Sequence, residues 1–197
     1  MKLVLASKNQ KKLVEMNEIL SHLGIQVCSE AEAGVDVEVE ETGATFEENS
    51  LLKARAVMEA SGMPAIADDS GLCVDALNGA PGVYSARYGG ERLDDVGRYR
   101  LLLENMRGQT PRTAKFVSVI TCCFPNGDVL SARGECPGTI AFAPMGEGGF
   151  GYDPVFFIPS LKKTFAQLSP EEKNAISHRG KALEAFQVKL EEYLKKN

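Results

Sequence analysis

Two carboxylates and a hydroxyl stand together in Ala65-Ile66-Ala67-Asp68-Asp69-Ser70-Gly71, directly after three apolar residues that read as a short strand. The carboxyl end of such a strand is where α/β folds place ligands. Adjacent strand residues point to opposite faces, so one aspartate should face a cleft and the other should brace the turn. A third carboxylate is available from Glu40 or Glu41, and together these are hard oxygen ligands of the kind Mg²⁺ takes. The structural alternative is a turn in which an aspartate caps its own backbone.

A second cluster, Ser7-Lys8-Asn9-Gln10-Lys11-Lys12, lies between the first apolar segment and a helical pattern. Free N–H groups at a helix N-terminus attract anions, and the macrodipole disfavours cations there by roughly 0.3–1 kcal/mol each. Lysines at that end make sense if a phosphate sits between them, with Ser7 and Asn9 donating hydrogen bonds and Lys12 reaching back along the helix. The alternative is a solvated basic turn. The pattern is not G-x-x-x-x-G-K-[ST], so a P-loop kinase or ATPase is not indicated.

Three further positions are ambiguous alone. Lys53 either lines a cleft or sits on an outer helix face. In Phe150-Gly151-Tyr152-Asp153 an aromatic ring either stacks on a base or packs, after glycines that let backbone approach a ligand. His178 and Arg179, with Lys173 one turn earlier, offer several donors for a carbonyl oxygen; a satisfied core histidine is the other reading.

The chain that must position these residues has 197 of them, with 22 Lys+Arg against 27 Asp+Glu and a net charge of −5. That balance argues against a general grip on nucleic acid. No segment reaches the roughly 18–20 apolar residues of a membrane span, and the N-terminus meets Lys8 and Asn9 too early for a signal peptide, so a cytoplasmic protein is expected. Five cysteines without a C-x-x-C pair argue against a disulfide scaffold, and two histidines are too few for the usual zinc site. Any metal should be oxygen-bound.

Apolar spacing predicts strands over 2–6, 25–29, 65–67 and 72–77, an extended stretch over 35–39, and helices over about 13–23 and 45–61. Thr45 with Glu48 makes a capping box for the second helix. A helix from 94 or 95 to 106 follows, then a hairpin of 115–124 with 129–135 around Pro125-Asn126-Gly127-Asp128. A helix begins after Ser169-Pro170, and a last one runs from about 179 to 194 with Leu183, Phe186, Leu190 and Leu194 on one face. Helices interleaved with strands, plus a hairpin, indicate α/β with a mixed sheet in a single domain of two lobes around a cleft.

Taken in order, Ser7-x-Asn9-x-x-Lys12, Glu40-Glu41-Thr42-Gly43, Ala67-Asp68-Asp69-Ser70-Gly71, the run Gly79-Ala80-Pro81-Gly82-Val83-Tyr84-Ser85-Ala86-Arg87, Gly148-Gly149-Phe150-Gly151-Tyr152-Asp153-Pro154 and Ser177-His178-Arg179-Gly180 closely resemble the inosine/xanthosine triphosphate pyrophosphatase family. The match spans nearly the whole chain. One departure is that many members have Thr-Gly where this chain has Ser7-Lys8, which keeps the hydroxyl and replaces the residue permitting close backbone approach.

The resemblance implies an elongated mixed β-sheet, with helices forming two lobes around a nucleotide-binding cleft, usually in a homodimer. It implies Mg²⁺-dependent hydrolysis of ITP, dITP and XTP to the monophosphate and pyrophosphate. Glu40 and Asp69 would hold the metal, Asp69 would also activate the attacking water, Asp68 would orient it, and Lys53 would supply counter-charge. Ser7, Lys8, Asn9, Gln10, Lys11, Lys12 and Ser70 would bind the nucleotide. Phe150, Gly151, Tyr152, Asp153, Lys173, His178 and Arg179 would frame the base. A phosphatase or kinase using the same acidic turn, and a non-catalytic nucleotide sensor, are the rival classes.

Overall fold

The computed structural model describes residues 1–196. Its seven strands form one mixed sheet in the order β2-β1-β3-β4-β5-β6-β7, with β1 at Lys2–Leu5, β2 at Gln26–Cys28, β3 at Ala65–Val74, β4 at Thr113–Cys123, β5 at Val129–Ile140, β6 at Phe156–Ile158 and β7 at Lys163–Thr164. β1 runs parallel to both β2 and β3, and β6 runs antiparallel to β5 and β7. Helices α1 (Gln10–Leu20) and α2 (Phe46–Ser61) connect the parallel strands; α3 (Asp95–Asn105), α4 (Pro170–Ile176) and α5 (His178–Lys196) complete the helical set.

The helix ends follow from capping chemistry. Asn9 Oδ1 accepts from the N–H groups of Lys11 and Lys12, Thr45 Oγ1 from Glu48, Asp94 Oδ1 from Gly97 and Ser169 Oγ from Glu172. Gly62 closes α2 at φ 67°, a conformation that carries little penalty only without a side chain. α5 starts at His178, and Leu183, Phe186 and Leu190 are buried as expected, whereas Leu194 is 51% exposed near the helix end.

Two expected features differ. Residues 65–77 were to be two extended pieces broken by an acidic turn; β3 is instead one strand of ten residues, with Asp68, Asp69, Ser70 and Gly71 inside it. Ser118 and Arg179 hold Asp68 and Lys53 holds one oxygen of Asp69, so tertiary contacts outweigh their preference for turns. The stretch over 35–39 keeps its alternation, half-buried valines against exposed acids, but joins no ladder. Its Val37 N–H donates to the buried Glu30 Oε2 at 2.9 Å, so a side chain holds it rather than a neighbouring strand.

The chain divides into two compact units. The first comprises Met1–Asp69, Ser118–Gly134 and the chain from Arg179 onward. Leu3, Leu5, Ile66, Ile120 and Phe186 form a core on one face of its strands, while Val4, Ala6, Ala54, Ala65 and Ala67 cluster on the other. Burial on both faces is why β1 is apolar throughout rather than alternating. The second unit, Ser70–Val117 with Glu135–His178, packs Leu72, Leu102, Met106, Phe116, Phe156 and Phe165 together. All five cysteines are free thiols, and among the described residues no helix is long and apolar enough to cross a membrane.

Candidate active site

In the first unit, Val4 and Leu5 of β1 pair with Ala65 and Ile66, and the Ala6 N–H donates to Ile66 O at 2.8 Å. The neighbouring strand therefore ends just before Asp68 and Asp69, and the chain turns into α1. Lys12, in the first turn of α1, reaches Asp68 from there, with Nζ 3.3 Å from both Oδ2 and the backbone oxygen. Its charge is neutralised by a carboxylate instead of opposing the helix dipole.

Asp68 is fully buried and fully engaged. Ser118 Oγ donates to Oδ1 at 2.8 Å; Arg179 donates to Oδ2 from Nε at 2.8 Å and from Nη2 at 2.7 Å. Nη1 of the same arginine pairs with Glu15. Burial alone would push the Asp68 carboxyl up, but Arg179, Lys12 and the Ser118 hydroxyl hold it far below the usual carboxylate range.

Asp69 is the opposite case. Oδ1 accepts from Lys53 Nζ at 2.7 Å, while Oδ2 is buried and has no hydrogen-bond partner among the described residues. Burial pushes its carboxyl above the usual range in spite of Lys53. The surroundings of these two adjacent carboxylates thus drive their pKa values apart.

Lys53, on α2, also touches Asp68 O at 3.2 Å and Glu41 Oε1 at 3.0 Å. Burial works against its charge, yet Asp69 and Glu41 outweigh it and raise the ammonium, whereas burial dominates at Lys12 and lowers it. Four carboxylates (Glu15, Glu41, Asp68, Asp69) thus face three cations (Lys12, Lys53, Arg179), an excess of one negative charge when all are ionised.

The second unit assembles a different group. Lys173 is 5% exposed, its Nζ donates to Asp153 Oδ2 at 2.8 Å and lies 4.9 Å from the Phe150 ring centre. Asp153 Oδ2 also accepts the Phe150 N–H at 3.1 Å. Gly149 makes this possible, since a Cβ there would come within 2.0 Å of Asp153 Oδ2 and its φ is +68°. His178 is buried and stacks on Phe116 at 4.6 Å between ring centres. The Tyr152 hydroxyl donates to Ser85 O at 2.6 Å, which ties the Gly82–Arg87 turn to this loop and makes Tyr152 a packing residue.

The first unit therefore gathers Lys12, Lys53, Asp68, Asp69 and Arg179, and the second gathers Phe150, Asp153 and Lys173, with His178 on Phe116 and the Gly151 N–H donating to Asp95 Oδ2 at 3.0 Å. Arg179 directs Nε and Nη2 to Asp68 and Nη1 to Glu15. Ser7 and Asn9 act as acceptors, Ser7 Oγ for the Asn9 N–H at 3.2 Å and Asn9 for the helix start. Lys8 turns to Asp36 at 2.8 Å in an exposed pair, Gln10 and Lys11 are exposed, and Ser70 is half-buried. Glu40 is exposed, and Glu41 takes the place beside Lys53.

Glu15 and Ser118 went unrecognised in the sequence. Glu15 stands three residues after Lys12 and so shares its helix face. Ser118 is the polar residue in the apolar run Phe116-Val117-Ser118-Val119-Ile120.

The profile of the Ham1 family matches residues 3–189. A dITP/XTP pyrophosphatase of Desulforamulus reducens is 53% identical over 185 residues, covering 93% of this chain and 92% of that protein. One from an Exiguobacterium species is 47% identical over 195 residues, covering 99% and 100%. Among solved structures, the Staphylococcus aureus Ham1 protein superposes with a TM-score of 0.87 at 45% identity, covering 98% of this chain and 100% of its own. A HAM1 protein from Coxiella burnetii gives 0.88 at 46%, covering 98% and 99%. Sequence and fold agree over nearly the full length of both partners, and the chain belongs to the Ham1 family.

Proposed function

We propose that the chain hydrolyses non-standard purine nucleoside triphosphates (dITP, ITP and XTP) to the nucleoside monophosphate and pyrophosphate. Membership of a family whose relatives carry the name dITP/XTP pyrophosphatase supports the substrate class. The observation that carries the chemistry is Asp69, with one oxygen fixed by Lys53, the other buried and unpartnered, and a carboxyl raised by burial.

A water attacks the α-phosphorus and passes its proton to Asp69 as the new P–O bond forms; the bond to the bridging oxygen breaks and pyrophosphate leaves. A triphosphate brings about four negative charges, and a cation near 4 Å is worth roughly 4 kcal/mol at an effective dielectric of 20. Lys12 and Lys53 supply that counter-charge. Asp68, locked by Arg179 and Ser118, sets the backbone from which Asp69 projects.

The donor set suits Mg²⁺: hard oxygens, one of them the unpartnered Asp69 Oδ2, in a cluster already negative by one charge. Among the described residues no three metal-ligating side chains are grouped to hold an ion. Mg²⁺ commonly takes one or two carboxylates together with substrate phosphates, and Asp69 with Glu40 would serve as those two. When bound, the ion would neutralise phosphate charge and polarise a phosphoryl oxygen.

On the second unit, Phe150 would stack on the base, and His178 and Lys173 would donate to the purine 6-oxo group. A site built to donate there rejects adenine because its donors would be left unpaired. Free thiols suit a reducing cytoplasm, and a homodimer is the proposed assembly.

The test is a panel of ITP, dITP, XTP, ATP and GTP with Mg²⁺, scored for pyrophosphate and orthophosphate separately. Pyrophosphate from the first three is expected; orthophosphate would indicate a phosphatase, and binding without turnover a sensor.

A further inference from the structure

Asn49 is fully buried in the first turn of α2, and Lys53 follows one turn later on the same helix face. Its Oδ1 accepts the Gly43 N–H at 2.8 Å. Residue 43 has room only for glycine, since a Cβ would lie 2.6 Å from that oxygen, 2.7 Å from Glu48 Cβ and 3.0 Å from the Asn49 nitrogen. One residue on, the Ala44 N–H donates to Glu48 Oε2 at 2.6 Å. The loop is thus pressed onto the helix just two residues after Glu41, whose carboxylate meets Lys53 Nζ at 3.0 Å.

Asn49 and Lys53 therefore grip the same short segment at two points, and Lys53 in turn holds Asp69 at 2.7 Å. The Asn49 Nδ2 has no hydrogen-bond partner among the described residues. An apolar side chain would bury no such donor, so the position is explained by its acceptor, which the Gly43 N–H requires.

We propose that Asn49 is a positioning residue: by holding Gly43 it keeps Glu41 against Lys53, and so fixes Lys53 relative to Asp69. This rests on Asp69 and Lys53 serving the hydrolysis proposed above.

The test is steady-state pyrophosphate release from ITP by the full chain with Mg²⁺. Asn49→Ala should lower kcat roughly 10- to 100-fold with KM little changed, because small misplacement of a reacting group has that effect. Asn49→Asp keeps the acceptor and should recover most of the rate. In a Glu41→Gln background, Asn49→Ala should cost less than about twofold, since residues acting through one contact are not additive. Amide exchange at residues 41–44 should speed up in Asn49→Ala and stay slow in Asn49→Asp. Should Asn49→Ala fail to fold, Asn49→Ser, too short to reach Gly43, takes its place in the same cycle.

Equal losses in both backgrounds, or an Asn49→Asp as slow as the alanine variant, would overturn the proposal while leaving the hydrolase reading intact. A wild-type chain that releases no pyrophosphate would overturn the hydrolase reading and this inference with it.

Discussion

Arg179 meets a single oxygen of Asp68 from two nitrogens, at 2.8 and 2.7 Å, and both side chains are buried. The other oxygen is taken by Ser118, and the far nitrogen of the arginine by Glu15. Both oxygens of Asp68 are thus held by its neighbours, whereas Asp69 Oδ2 is buried without a hydrogen-bond partner among the described residues. Arg179, Lys12 and Ser118 hold the Asp68 carboxyl well below the usual carboxylate range, while burial holds that of Asp69 above it.

Asp68→Asn is expected to destabilise the protein before anything else. Breaking one partner of a buried pair costs about 3–5 kcal/mol, and for a chain of this size that is roughly 6–20 °C in Tm. Because the folded pKa of Asp68 is depressed, its contribution is complete above its unfolded value near 4 and is lost as pH falls through the folded value. Melting curves of the two proteins should thus converge under strongly acid conditions; a constant gap down to pH 2 would refute the ion-pair account.

Asp69→Asn should instead leave the fold intact and remove turnover. The proton acceptor works only as the anion, so kcat/KM for ITP should show an acid limb in the wild-type enzyme that is absent from any residual activity of the variant. An unchanged acid limb in the variant, or near-normal activity, would remove Asp69 from its role.

How much of this was visible in the sequence depends on the range of the interaction. Caps such as Thr45 and Ser169 act within three residues and are readable directly, whereas Asn9, read as a phosphate donor, caps a helix that starts three residues before the expected 13. The Asp68-Asp69 pair was readable as chemistry but not as strand, because what keeps it extended comes from residues as distant as Ser118 and Arg179. For the same reason nothing near Arg179 in sequence announces its pairing with Asp68, 111 positions away. Glu41 against Glu40 could not be decided by alternation, since that segment joins no ladder.

The loop around Phe150 gives a third prediction. Stacking of a base on an aromatic ring is worth about 1–3 kcal/mol, so Phe150→Ala should raise KM for ITP about 5- to 150-fold with a smaller change in kcat. Gly149→Ala should do at least as much without touching the ring, because its Cβ would displace Asp153 from Phe150 N and Lys173. Both can be read from initial rates over a range of ITP concentrations; an unchanged KM in either would mean the ring only packs.

His178 and Arg179 are adjacent, yet their surroundings differ. His178 stacks on Phe116 in the second unit, while Arg179 pairs with Asp68 and Glu15 in the first. Losing one donor to a base oxygen is worth about 1–3 kcal/mol, so His178→Ala should narrow the ratio of ITP to ATP turnover by roughly 5- to 150-fold. Arg179→Lys keeps the charge but not the two-nitrogen grip on Asp68, so it should lower Tm and overall rate while leaving that ratio unchanged. Measuring both nucleotides on both variants separates the roles: if the lysine variant alone alters base preference, the arginine reads the base and the histidine does not.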